Sequence, residues 1–273
     1  MPQLHLQPDF STFQSLAEKG SLVPVVAELT ADYETPLSAF QKIHDGRCAF
    51  LLESAELTQH SGRYSLLGSS PRIIFTARGK EIESEERGQK RSFTTKSDPL
   101  TELEALMKPF RPHDSPALPV FHGGAVGYLA YDMVRFFEPT LPAPPKDELG
   151  LPDMVFMVTD TVLVFDHRTR RLSIIANVHT DEHANLEAAY EWAKAQILAV
   201  MSKLERPLAA KPLQAFAPLS KEQLPTPSGN TTREEYEGMV LKMKEYIAAG
   251  DIFQGVPSQR FETAYSGSTI DLF

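Results

Sequence analysis

Glu53 and Ser54 close the apolar run Ala49-Phe50-Leu51-Leu52, and Arg63, Tyr64 and Ser65 open the next extended segment after Gly62. A carboxylate, a guanidinium and three hydroxyls, a hairpin's length apart, suit the recognition of a small charged molecule. The apolar run bounded by polar residues predicts a strand buried on both faces. A carboxylate at the end of such a strand needs a partner, because an unpaired buried charge is costly. Two arrangements satisfy it. In one, Glu53 and Ser54 face the 62–65 segment across a polar pocket at the sheet edge. That pocket takes a small zwitterion, its ammonium on Glu53 and the rest on hydroxyls and backbone groups. In the other, Glu53 and Arg63 form an internal ion pair that ties two strands together.

Other reactive residue types are sparse. Cys48 is the single cysteine, so no intramolecular disulfide forms, and the chain fits a reducing compartment. Nothing beside Cys48 would lower its pKa, which argues against a nucleophile. His122 has no second His or Cys at metal-ligand spacing and reads as structural. Gly123, Gly124 and Gly127 punctuate the apolar, aromatic segment 120–132. They predict a bulge, a bend or a close approach of another backbone. The segment has no Gly-Lys-Ser/Thr and is not a phosphate loop.

Composition narrows the class. The 273 residues are 42% hydrophobic and 23% charged, which is globular rather than disordered. A formal net charge of −9 argues against nucleic-acid binding. No stretch approaches the roughly 20 apolar residues of a membrane span. The first residues carry no basic region ahead of an apolar core, so a cytoplasmic protein without a signal peptide is expected.

The elements follow from period and punctuation. Helices are expected at 11–19, from Thr35-Pro36 to Gly46, from Asp98-Pro99, and over a long amphipathic stretch holding Leu186, Tyr190, Ala193, Ile197 and Val200. Trp192 lies off that stripe and is expected to pack on a neighbouring element. Strands are expected at 23–29, 49–52, 64–67 and 73–77. A mixed-charge, solvated hairpin is expected over Glu81–Arg91. The stretches 154–158, 161–166 and 172–178 read as one meander.

Residues 206–229 are proline-rich and lack apolar periodicity, so they read as a linker between an amino-terminal domain at 1–205 and the start of a second at 230–273. Thr231 and Thr232 each offer a capping box. The helix they start carries Tyr236, Met239, Val240, Met243 and Ile247 on one stripe and stops at Gly250. A strand is expected over Ile252–Phe261, at an edge or with a bulge because of Gly255 and Pro257. One helix and one strand cannot bury a core, so either the second unit docks on the first or the chain is part of a longer one.

Several segments, in order, resemble anthranilate synthase component I, the chorismate-using subunit at the start of tryptophan biosynthesis. They are 50–54, Gly62-Arg63-Tyr64-Ser65, 123–128, 149–154, 159–167, Gly250-Asp251-Ile252-Phe253-Gln254 and 258–261. The resemblance implies an α+β fold of antiparallel sheets with flanking helices, with its catalytic domain truncated here. It implies that Leu52, Glu53, Ser54 and Arg63 belong to a feedback site for L-tryptophan, with the ligand's ammonium near Glu53 and Ser54. It implies chorismate as substrate, a glutamine amidotransferase subunit as ammonia source, and Mg2+ held by glutamates expected beyond Phe273, so that this chain alone is inactive. Gln254 falls near the active site, where resembling isochorismate-forming enzymes use a lysine base. A glutamine there favours adding an amine over adding water. Aminodeoxychorismate synthase component I shares the chemistry, and a free-standing tryptophan-binding module is the reading from a different class.

Overall fold

The computed structural model describes residues 4–54, 62–110, 118–119, 121–144, 146–208 and 226–272. The chain divides into two compact units, Met1–Ala209 and Ala210–Phe273. Most of the expected linker, together with 55–61 and much of the loop before Phe121, lies outside the described residues.

The first unit opens with β1 (Leu6–Gln7), α1 (Phe10–Ala17), β2 (Leu22–Thr30), α2 (Pro36–Ile43), β3 (Ala49–Leu52) and β4 (Tyr64–Ser69). It continues with β5 (Ile73–Arg78), β6 (Glu81–Glu86), β7 (Gln89–Thr94), α3 (Pro99–Met107) and β8 (Ala125–Leu129). It ends with β9 (Met154–Val158), β10 (Thr161–Asp166), β11 (Arg171–His179) and α4 (Leu186–Leu204). The strands form two antiparallel sheets, ordered β1-β2-β11-β10-β4-β3 and β7-β6-β5-β9-β8. This is the α+β architecture of antiparallel sheets with flanking helices that the resemblance implies.

Helix starts obey their local chemistry. Asp98 accepts from the Thr101 amide at 2.9 Å, and Thr35 and Ser38 exchange hydrogen bonds in a capping box with Pro36 in the first turn. Hydrophobic burial then fixes where the helices dock. Phe13 of α1, Ala39 and Ile43 of α2 and Ala193 and Ile197 of α4 pack with Leu67, Leu163 and Phe165 on one face of the six-stranded sheet. The opposite face carries Val162, Val164 and Ile175, with Leu66 and Phe121 against them. The five-stranded sheet buries Phe75, Ile82 and Met154 against Leu103 of α3.

The two sheets share their backbone. β4 runs into β5 and β10 follows β9, so one antiparallel ladder passes from sheet to sheet. Ile73 pairs with Val158 on one side of the crossing and Gly68 with Val162 on the other. Four residues on the first strand therefore oppose three on the second, which is a one-residue β-bulge. Ser70 takes the left-handed conformation there, with φ of 52°. The expected meander is thus corrected: β10 and β11 pair as read, but β9 belongs to the other sheet.

A second correction concerns 49–52. β3 is an edge strand with Phe50 buried, while Leu52 is 46% exposed. Four consecutive apolar residues look the same in an edge strand as in a central one, because the missing neighbour is not a local property. The charged ribbon β6–β7 forms as expected, with Arg87 and Gly88 at φ of 47° and 83° giving the turn whose twist suits a two-residue hairpin. Of the glycines in 123–127, Gly124 has φ of 130°, while Gly123 and Gly127 are closely approached. A Cβ on Gly127 would lie 1.9 Å from the Val155 carbonyl oxygen.

The second unit holds β12 (Ser228–Gly229), α5 (Arg233–Ala249) and β13 (Phe261–Glu262), with the two short strands paired. Thr232, rather than Thr231, is the N-cap, and Gly250 ends α5 at φ of 82°. The strand expected over Ile252–Phe261 is not formed. Only Phe261 and Glu262 pair, and 251–260 has no regular structure, consistent with Gly255 and Pro257 interrupting a ladder.

Candidate functional site

Three strands of the six-stranded sheet end in polar residues on one side. β3 runs into Glu53, its antiparallel neighbour β4 begins at Tyr64-Ser65, and β10 ends at Asp166 followed by His167. Ser65 pairs with Phe165 and shares the helix-covered face with Leu67. Ser65 is only 1% exposed. Its Oγ lies 3.1 Å from Glu53 Oε1 and 2.7 Å from His167 Nε2. A buried hydroxyl thus joins an exposed carboxylate on one neighbour to an exposed imidazole on the other.

Arg63 has a different partner from the one expected. Its guanidinium spans Asp166, with Nη2 2.6 Å from Oδ2 and Nε 3.2 Å from both oxygens. It also stacks over the Tyr64 ring at 4.7 Å. Asp166 further accepts from the backbone amides of Arg168 and Thr169 at 2.9 and 3.3 Å. Arg63, first, and these amides hold the Asp166 carboxyl at about 2, against an ordinary 3.8. The internal Glu53–Arg63 pair is thus not formed: Arg63 instead makes a largely solvent-exposed pair with Asp166.

Of the four residues anticipated for ligand binding, the structure groups some and separates others. Glu53 is held by Ser65. Leu52 pairs with Leu66, on the face opposite to Ser65. Ser54 is exposed beside Glu53, and Arg63 is engaged by Asp166. Ser65 lies opposite Glu53, as the sequence reading has it, whereas Asp166 and His167 were not singled out as site residues. The available signal was that three apolar runs end in polar pairs, and antiparallel neighbours bring those ends together.

Besides an open groove of about 290 Å³ beside Glu28 and Arg171, two further cavities are found among the described residues of the first unit. One, near the sheet crossing, is lined by Leu22, Phe110, Gly123, Thr159 and Asn177 and has about 40 Å³. Asn177 Nδ2 donates to the His122 carbonyl at 2.8 Å, while Asn177 Oδ1 and His122 Nε2 are buried without a partner among the described residues. Its size suits water rather than a metabolite. The other has about 240 Å³ and is lined by Arg87, Asp160, His179, Glu182, His183 and Trp192. Its charges are already satisfied, since Arg72 and Arg87 both bind Glu182 and hold its carboxyl at about 2. Trp192 packs beside His183, ring centres 5.5 Å apart. Among the described residues no group of three or more His, Cys, Asp or Glu is arranged to hold a metal ion, so they do not fit the Mg2+ that the resemblance implies. Gln254 is exposed in the irregular segment after α5.

Residues 47–273 match the family described as chorismate binding enzyme. The chain belongs to that family. Similarity to individual members runs along nearly the whole chain. It is 36% identical to anthranilate synthase component 1 of Acetivibrio thermocellus over 255 residues, covering 93% of this chain and 51% of the relative. It is also 36% identical to the Pseudomonas putida protein of the same name, covering 96% and 52%. The Saccharomyces cerevisiae protein gives 36% identity, with 94% and 50% covered. The chain thus spans about half the length of the curated relatives it matches. The crystal structure of anthranilate synthase component I from Streptococcus pneumoniae TIGR4 is similar with a TM-score of 0.56 and 26% identity, over 80% of this chain and 46% of that one. No helix among the described residues is long and apolar enough to cross a membrane.

Proposed function

We propose that this chain is the amino-terminal half of an anthranilate synthase component I, with an L-tryptophan site in its first unit and the opening of the chorismate-binding unit in its second. The observation that carries the reading is a match to proteins of that name along 93% or more of the chain. The full reaction converts chorismate and ammonia to anthranilate, pyruvate and water, with ammonia supplied by a glutamine amidotransferase subunit in the cytoplasm. The resemblance assigns the Mg2+ to glutamates of the following half. The first unit supplies control. Glu53 presents a carboxylate at a sheet edge, anchored from beneath by Ser65, which suits a ligand ammonium. Leu52 and Ser54 flank it. Arg63 and Asp166 brace the neighbouring strand ends. Gln254, which cannot take a proton from water near neutral pH, accords with addition of an amine.

The test is direct. The 273-residue protein, given chorismate, ammonium and Mg2+, is expected to make no anthranilate. Joined to the following half of the Acetivibrio thermocellus relative, it is expected to make anthranilate, followed by its fluorescence, and L-tryptophan is expected to suppress the rate. In that joined protein Ser54→Phe should relieve the suppression and leave turnover largely intact. Accumulation of 4-amino-4-deoxychorismate would instead assign the aminodeoxychorismate reaction. Tryptophan binding with no turnover in the joined protein would assign a binding module.

A further inference from the structure

We propose that Ser65 and His167 are positioning residues for the Glu53 carboxylate, acting as a one-way hydrogen-bond relay that sets the ammonium preference of the site. The inference rests on the ligand reading given above and adds residues to it. Its core is a count of protons. Ser65 Oγ has one hydrogen and contacts two groups, Glu53 Oε1 at 3.1 Å and His167 Nε2 at 2.7 Å. An ionised carboxylate only accepts, so the serine proton goes to Glu53. The serine oxygen must then accept from the imidazole, and the proton of His167 resides on Nε2. The order is His167 Nε2–H to Ser65 Oγ, and Ser65 O–H to Glu53.

Burial gives this order its effect. Ser65 is 1% exposed, whereas Glu53 and His167 are both exposed. The relay therefore fixes the inner oxygen of Glu53 from below, and Oε2 has no hydrogen-bond partner among the described residues. A carboxylate held by one oxygen offers the other in a set direction, which an ammonium can meet without first ordering the side chain. His167 is held in turn, since its amide donates to the Arg63 carbonyl at 2.9 Å. The charged groups around it are Glu53 just after β3, Arg63 before β4, and Asp166 and Arg168 on either side in the chain. Arg63 and Asp166 already satisfy one another, which leaves Glu53 as the carboxylate facing the relay.

Two readouts separate this role from a structural tie between strands. In the first, 15N NMR of the imidazole nitrogens is expected to show the His167 proton on Nε2. A proton resident on Nδ1 would overturn the relay whether or not any ligand binds. The second is calorimetric titration of the joined protein described above with L-tryptophan and with indole-3-propionate, which keeps the ring and carboxylate but lacks the ammonium. Ser65→Ala and His167→Ala are expected to weaken L-tryptophan about tenfold and leave indole-3-propionate unchanged. His167→Gln, which keeps an N–H donor at the same reach, is expected to restore the wild-type value. His167 is exposed, so its variants test the relay even if Ser65→Ala fails to fold. Equal weakening of both ligands, or of neither, overturns the positioning role while leaving the site. A wild-type protein that binds neither compound instead removes the ligand reading, and the proton position on His167 then still decides the relay.

Discussion

α4 and α5 begin with the same local chemistry and end in different surroundings. Asn185 caps α4 by accepting from the Ala188 amide at 2.8 Å, and Thr232 caps α5 by accepting from Glu235 at 3.2 Å. α5 is the better punctuated, with a capping box at one end and a left-handed glycine at the other. Yet α4 buries Ala189, Ala193 and Ile197, while α5 buries nothing. Its stripe residues Val240 and Ile247 are 36% and 44% exposed, and Phe253 just beyond is 94% exposed. Capping is settled within a turn of chain. Burial is settled by whatever packs opposite: α4 lies on a sheet face, whereas α5 is covered in part by the irregular segment after it, where Tyr236 reaches the Pro257 carbonyl.

Paired substitutions break this comparison where it is strongest. Ile197→Ala in α4 is expected to cost about 2–5 kcal/mol, through lost burial and the cavity it leaves. Val240→Ala in α5 should fall within about 0.5 kcal/mol, as surface changes do. Urea denaturation with a probe in each unit measures both, and equal costs would mean that α5 is packed as tightly as α4. Next in size is Gly127→Ala, expected to cost about 1–3 kcal/mol in the same assay, because its Cβ meets the β9 backbone rather than a side chain that can move.

The caps should behave alike where the cores do not. Asn185→Ala and Thr232→Ala are each expected to cost about 1 kcal/mol of helix stability, read from amide exchange in the first turn of each helix. A much larger loss at Asn185 would show that packing, not capping, dominates the start of α4. The smallest effect is electrostatic. The folded Asp166 carboxyl sits at about 2 against an ordinary 3.8, so the folded state resists its protonation. Its stabilisation is present at neutral pH and is lost as pH falls from about 4 toward about 2. Arg63 is 45% exposed, so solvent screening limits the effect to under about 1 kcal/mol. Asp166→Asn should flatten that part of the stability profile in acid titrations followed by circular dichroism, and an unchanged slope would remove the pair from the balance.

These contrasts also mark what could be read in the residues themselves. Helix positions were legible because Thr35-Pro36, Asp98-Pro99 and Thr232 act on amides two or three residues away. The solvated β6–β7 ribbon was legible in its alternating charges, and Gly127 in its apolar company. The partition of β9 and β10 between two sheets was not, since both are apolar runs and the deciding bulge lies on the other strand. The edge position of β3 was hidden for a similar reason. At the candidate site, Glu53 was visible as a carboxylate needing a partner. Whether Ser65 or Arg63 supplied it depended on a register shared by three strands, and periodicity within any one of them does not encode that.

The bulge where β4 becomes β5 has a mechanical consequence. Both crossings between the sheets lie at this point, with Arg72 and Asp160 facing each other at 3.8 Å across it. Sliding one sheet along the other would break ladder bonds on both sides at once. The Arg72 guanidinium adds bonds to Glu86 and Glu182 beside this point, so the place where the backbone changes sheets is also where side chains tie the two sheets together.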